Sequence, residues 1–301
     1  MVCPRFLQQH MADAWRIWRI KDASLELRLP LVMGILNVTP DSFYDGGVHH
    51  GSVADAVEHA AKMLEQGAGI IDIGGESSRP GSEPLSADEE LERVLPVISE
   101  LKARHPAAVI SIDTYKARVA DAAVGAGAAI VNDISAGRLD PELLPFAAES
   151  GCGYVLMHML GTPRDMQREP HYDDPVAEIH AFLKERLHRL AEAGIAPERV
   201  VLDPGIGFGK RLSDNLALIA NAERLRVDGR PLLFGVSRKS FLGKLLGQGP
   251  EQRLAGTVAA NALLLRQGVD ILRVHDVREA VDTVKLHLAL LPQRPRTGDK
   301  C

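Results

Sequence analysis

LVMGILN, residues 31–37, is an apolar run that ends in an amide, and the same arrangement recurs down the chain. IIDIGGE (70–76), VISIDT (109–114), IVNDIS (130–135), YVLMH (154–158), VVLDPG (200–205), LLFGVSRK (232–239) and ILRVHD (271–276) are each followed by a stretch with helical periodicity. The polar ends are Asn37, Asp72, Asp113, Asn132, His158, Asp203, Lys239 and the pair Arg273/His275. A strand buried on both faces is apolar throughout. A polar group that returns at the same end of every run therefore places the chemistry on one rim of one sheet. Eight β-then-α units across residues 31–291 predict an α/β fold, a TIM (β/α)8 barrel with a short N-terminal extension. In such a barrel the active site is built at the C-terminal ends of the strands.

Three segments are expected: an extension over residues 1–30, the catalytic barrel over 31–291 and a frayed tail over 292–301. In the extension, Leu25, Leu27 and Leu29 alternate with polar neighbours, the period of a strand that would close the barrel bottom as part of a β-hairpin. Met1 and Met11 are both available as starts. Helix signals include Ser86-Ala-Asp-Glu89, a capping box, and single helices are expected over 213–225 and over 250–267. Two βα connections, Val38–Gly51 and Ser77–Leu85, are long for a fold whose connections commonly span about 2–6 residues. Both leave the chemical rim, which suits lids or substrate clamps, or else disordered insertions.

The net charge of −5 gives no basic surplus for nucleic acid, and a locally positive site for a small anion is compatible with it. Cys3, Cys152 and Cys301 form no zinc spacing and no disulfide set, so the expected setting is the reducing cytoplasm. There is no charged-then-apolar leader pattern near Met1 and no apolar run long enough to span a bilayer.

Asp72, Asp113 and Asp203, with Asn132, converge on the rim. A buried carboxylate is costly without a partner, and one alone is commonly a cap or half of an ion pair. Three with an amide suit a flat, donor-rich ring edge, because an ionised carboxylate accepts two parallel N–H bonds. Arg79, Lys239, Arg273 and His275 supply the opposite charge. Arg273 and His275 are two apart and share a strand face, an arrangement that suits phosphate or diphosphate, or else pairs with Asp276 or another rim carboxylate. Gly235, Ser237 and Lys239 share a face if strand geometry persists through LLFGVSRK. DPGIGFGK (203–210) is neither a Walker loop nor a GxGxxG opening a helix. It fits a backbone that approaches a planar ring and carries Phe208. His158 ends a strand and either faces the site or belongs to the core. There is no GxSxG elbow and no HExxH.

MGILNVTPDSFYDGG (33–47) and DIGGESSRPGSEPLSADEELERVLPVI (72–98), followed in order by SIDTYKARVADAAVGAGAAIVNDISAG, LDPGIGFGK, GVSRKSFLG and RVHDV, resemble the dihydropteroate synthase family over about residues 31–280. The resemblance implies a TIM barrel, usually a homodimer, that joins 4-aminobenzoate to the methylene of 7,8-dihydropterin-6-ylmethyl diphosphate in folate synthesis. Mg2+ assists the departing diphosphate. It places Asp113, Asn132, Asp203 and Lys239 in the pterin pocket with Asp72, and Asn37 at the Mg2+ and diphosphate position beside Arg273 and His275. Asp45 falls on the first loop, and Ser78, Arg79 and Pro80 on the second. Phe208, Lys239 and Ser240 match the walls of the 4-aminobenzoate pocket, where sulfonamides also bind. Ser78 stands where the family commonly has threonine, keeping the hydroxyl and losing a methyl. In this family diphosphate leaves first and the amine attacks the resulting cation, with Asp113 as the candidate stabiliser and Asp45 and Arg79 ordering the closed loops. The alternatives are a pterin-binding methyltransferase domain, which would work beside a corrinoid module, a silent paralogue that only binds pterin or a partner, and an aldolase-like phosphate barrel.

Overall fold

The computed structural model describes residues 16–38, 53–77 and 82–291. A two-stranded antiparallel hairpin, β1 (Ile17–Ile20) and β2 (Ala23–Glu26), precedes eight parallel strands. These are β3 (Leu31–Asn37), β4 (Ile70–Gly74), β5 (Ile110–Asp113), β6 (Ile130–Asp133), β7 (Gly153–Met157), β8 (Val200–Asp203), β9 (Leu233–Phe234) and β10 (Ile271–Val274). They pair in the order β8-β7-β6-β5-β4-β3-β10-β9. A parallel bridge between Leu202 and Leu232 joins the two ends and closes the barrel. Outside lie α1 (Val53–Glu65), α2 (Ala87–Arg104), α3 (Ala117–Gly125), α4 (Leu143–Ser150), α5 (Pro175–Glu192), α6 (Leu212–Ala220), α7 (Ser240–Leu246), α8 (Leu254–Arg266) and α9 (Val277–Ala289). The Ser86 capping box that opens α2 is formed, Ser86 Oγ accepting from Glu89 N at 3.2 Å and Ser86 N donating to Glu89 Oε2 at 2.9 Å.

Each strand alternates its side chains between two cores. Val32, Leu36, Ile71, Ile112, Val131 and Leu202 face outward and pack against the helices. Met33, Ile70, Ile130, Val155, Val201 and Ile271 face inward and form the barrel floor with Trp18, Ile20 and Leu27 of the hairpin segment. Two residues further along, on the same inward face, stand Asp72, Asn132, Asp203 and Arg273. The period that builds the floor thus also sets a polar layer directly above it.

Three sequence readings need correcting. The strand of the extension runs over Ala23–Glu26, with Leu27 buried just beyond it and Leu29 exposed. Its partner β1 carries the plug, Trp18 and Ile20 being buried and Ile17 exposed. The helix expected over 213–225 breaks at Asn221 (φ −127°, ψ 32°), after which a 3-10 turn covers Ala222–Leu225. That over 250–267 divides at Arg253 into a 3-10 turn, Pro250–Gln252, and α8.

The hairpin is fastened as well as packed. Trp18 Nε1 donates to Arg199 O at 2.8 Å. Arg16 pairs with Asp270, which also binds Arg226 at 2.9 Å and the Leu232 amide at 2.8 Å. Replacing Trp18 with alanine empties the largest side chain from the floor and should lower stability by about 3–5 kcal/mol, read as a drop in the urea midpoint at unchanged slope.

Candidate active site

The polar layer is held by one guanidinium. Arg273, on β10, donates through Nε to Asp72 Oδ2 at 2.6 Å and through Nη2 to Asp113 Oδ2 at 2.5 Å. Asn132 Nδ2 donates to the same Asp72 oxygen at 2.9 Å. Four strands, β4, β5, β6 and β10, therefore meet across the barrel interior. Of the two partners expected for Arg273, an anion or rim carboxylates, the structure shows the carboxylates. Asp276 is taken instead by Arg238, at 2.6 Å. Asp72 Oδ1 and the hydroxyl of Ser111, on the neighbouring strand, are buried and make no hydrogen bond among the described residues.

Burial pushes the Asp113 carboxyl up to about 7; Arg273 opposes this, while Asp72 and Glu90 push in the same direction. Burial likewise raises Asp203, against the pull of Lys239, and lowers Lys239 to about 8, against that of Asp203. The two groups face each other as an acceptor and a cation with softened charges. For Arg273, burial alone would lower the pKa, but Asp72 and Asp113 hold it above its ordinary value.

LLFGVSRK is not one strand. Strand pairing stops at Phe234, and Arg238 turns into the left-handed region at φ 55°. Lys239 reaches the site from the residue preceding α7, donating to Ile206 O and standing 4.7 Å over the Phe208 ring. Ser237 faces β10, its Oγ accepting from His275 N at 3.2 Å and lying 3.0 Å from His275 Nδ1. Ser240, at the start of α7, is exposed. His275 is exposed at the rim, and the protein around its ring, together with Arg273, lowers it to about 4.

The glycine loop after β8 is built by close approach. Gly205 has φ +67°, and a Cβ there would stand 1.9 Å from His158 O. Asp203 Oδ1 accepts from Gly205 N at 2.7 Å, which turns the chain back over the rim and presents Phe208. Beneath it lies Lys210, the missed residue of this motif. It is buried and donates to Phe208 O at 3.0 Å and to His158 Nδ1 at 2.9 Å. Burial holds Lys210 well below the usual lysine range. A second missed group lies behind Asp113, where Lys116 pairs with both Glu76 and Glu90. Its signal was present in SIDTYK, a lysine three residues beyond a rim carboxylate, but spacing alone does not tell it from a surface lysine.

Asn37 ends β3, half-buried, with Gly74 as its strand partner. Among the described residues no three His, Cys, Asp or Glu side chains cluster as a metal cage. Asp45, Ser78, Arg79 and Pro80 lie outside the described residues, as do most of the two long connections, residues 1–15 and the 292–301 tail.

The barrel's mouth thus gathers Asp72, Asp113 and Asn132 around Arg273, with Asp203 and Lys239 beside them. The family model described as "Pterin binding enzyme" matches residues 33–275. The dihydropteroate synthase of Escherichia coli K12 is 48% identical over 268 residues, covering 89% of this chain and 94% of that protein. The Xanthomonas albilineans dihydropteroate synthase structure with 4-aminobenzoic acid superposes with a TM-score of 0.87 at 46% identity, covering 93% of this chain and all of that one. The structure of the same enzyme in complex with 7,8-dihydropteroate gives 0.82 at 45%, covering 92% and all of it. The chain belongs to the pterin-binding enzyme family, in its dihydropteroate synthase group.

His158 is resolved by its surroundings as a wall of this site's support. Its ring meets Phe182 edge-on at 4.7 Å, and burial, with Lys210 and Arg138 nearby, pushes it down to about 2. A histidine whose folded pKa lies below its unfolded value stabilises above pH 6.5, and that stability is lost as pH falls toward 2. The wild-type protein should therefore lose up to about 1.4 kcal/mol per pH unit below 6.5 through this residue. His158→Gln should flatten that slope by one proton, measured from urea midpoints between pH 7 and pH 5.

Proposed function

We propose that the chain is a dihydropteroate synthase, condensing 7,8-dihydropterin-6-ylmethyl diphosphate with 4-aminobenzoate to give 7,8-dihydropteroate and diphosphate in folate synthesis. The observation that carries this is the Arg273-clamped set of Asp72, Asp113 and Asn132, with Asp203 and Lys239 beside it, in a chain so similar to named synthases. A 2-amino-4-oxo pterin edge is rich in N–H donors. It would lie over Asp203 and Asn132, with Lys239 meeting its oxygen. Phe208 and the Lys239 stem would wall the 4-aminobenzoate pocket, with Ser240 at its mouth and Ser78, Arg79 and Pro80 on the second loop.

Diphosphate would sit toward Asn37, His275 and the outer edge of Arg273. Mg2+ keeps several waters and uses phosphate oxygens with one or two protein ligands. A neutral amide at Asn37, with no carboxylate cage among the described residues, fits an ion carried in by diphosphate. When bound, Mg2+ would neutralise leaving-group charge. The protein's own share is electrostatic. As the C–O bond lengthens, positive charge develops on the pterin methylene, and the Asp113 carboxylate stabilises it at a position fixed beforehand by Arg273. Asp45 and Arg79 would order the covering loops and keep water from the cation. The aniline nitrogen then attacks.

The protein would act as a homodimer in the cytoplasm. The Cys152 thiol is free and buried, and no described helix is long and apolar enough to cross a membrane. The methyltransferase and silent-paralogue readings have no supporting observation of their own.

Purified protein given the pterin diphosphate and Mg2+ should release diphosphate together with dihydropteroate once 4-aminobenzoate is added. Tight pterin binding without product would sink the synthase reading. Because only ionised Asp113 stabilises the cation, turnover should rise with pH through about 7. Asp113→Asn should lower turnover about 100-fold or more while weakening pterin binding far less, and unchanged turnover would refute the electrostatic role.

A further inference from the structure

The segment that carries Asp113 into the site ends on a second ionic cluster. Lys116, preceding α3, directs its ammonium to Glu76 Oε2 and Glu90 Oε2 together. Its neighbour Tyr115 donates to the other Glu76 oxygen at 3.2 Å, and the Lys116 ammonium lies 4.8 Å from the Tyr115 ring centre. Glu90, on α2, is 1% exposed, and its Oε1 has no hydrogen-bond partner among the described residues. The packing here leaves no slack. A Cβ on Gly75 would stand 2.9 Å from Val94 Cγ1 and 3.1 Å from Glu90 Cγ, and Arg93 ties α2 to Gly75 O at 2.9 Å. Glu76, Glu90, Asp113, Thr114 and Tyr115, with Ile134, line one small cleft, so the cluster and the rim carboxylate share a wall.

A lone surface ion pair would not be built this way. Two carboxylates converge on one lysine, one of them almost fully buried, directly behind a third carboxylate. Burial raises Glu90 while Lys116 holds it down, and Glu90 in turn raises Asp113. We propose, on the synthase reading above, that Lys116 and Glu90 are positioning residues for Asp113. Lys116 ties its turn to β4 and α2, and the balance of Lys116 against Glu90 and Glu76 sets the charge that Asp113 carries during the reaction.

The groups facing Asp113 from each packed element are few enough to separate. They are Asp72 from β4, Glu90 from α2, Asp133 from β6, Arg273 from β10 and Lys239 before α7, with Glu76 on the wall of the shared cleft and Lys116 joined to the group through Glu90 and Glu76. Glu90 raises Asp113. Taking away the Glu90 charge should therefore lower the proton affinity of Asp113, and taking away Lys116 should raise it.

The test is a carboxyl 13C NMR titration of the ligand-free protein, with the Asp113 signal assigned through Asp113→Asn. Glu90→Gln should move the Asp113 midpoint down by roughly half a unit to one unit. Lys116→Gln should move it up, and Lys116→Arg should restore the wild-type value. The acid limb of kcat/KM should follow the midpoint in each variant, whereas a merely structural role would scale the whole profile without moving the limb. Glu90→Gln leaves Lys116 paired with Glu76 and decides the matter even if Lys116→Gln does not fold. An Asp113 midpoint unmoved by Glu90→Gln overturns the proposal. Wild-type protein that makes no dihydropteroate overturns the synthase reading instead, and the ligand-free titration keeps the two failures apart.

Discussion

Arg273 is the constraint on which the site depends. Three carboxylates inside a barrel repel one another and lose their water. They are tolerable only if a cation is buried with them and its geometry is fixed. A lysine would offer a point charge at the end of a flexible stem. The planar fork of arginine instead reaches Asp72 with Nε and Asp113 with Nη2, two donors held at a fixed spacing. Asn132 then closes on the same Asp72 oxygen. The carboxylates are thus fixed relative to one another by the protein's own groups. Burial, which the clamp only partly offsets at the carboxylates, leaves the charges softened. Asp113 and Asp203 sit above their ordinary range and Lys239 below its own.

Around this clamp the barrel divides labour by layer. The floor is apolar and rigid, stoppered by Trp18 and Ile20. The layer above it is polar and paired. Above that come the mouth groups, whose positions depend on turns rather than strands, such as Gly205 under His158 O and Arg238 in a left-handed conformation. Lys210 supports this upper tier from beneath, linking Phe208 O to His158. The cluster of Lys116, Glu76 and Glu90 supports it from the side.

The barrel was legible because its signal is repeated. Any one apolar run is ambiguous between strand and buried helix, but a run ending in a polar group eight times is not. The polar rim groups were legible for the same reason, since Asp72, Asn132, Asp203 and Arg273 follow an inward apolar residue by two. What stayed hidden depends on distances in space. Nothing in the spacing shows that Arg273 clamps two carboxylates, or that Lys210 is buried under a loop. Lys116 looks like any solvated lysine until Glu90, twenty-six positions away, is brought against it. Trp18 was missed because a four-residue strand is too short for its alternation to stand out from an aperiodic extension.

The stoppered floor has a consequence for traffic. With Trp18 and Ile20 packed into the bottom, the described barrel is closed at its floor, and the polar layer is approached from the rim. If the pterin ring rests on the Asp72, Asn132 and Asp203 layer, the aryl amine arrives behind it, and diphosphate has to leave past the same rim. The order of events would then be imposed by the shape of the container, with no moving part needed to enforce it.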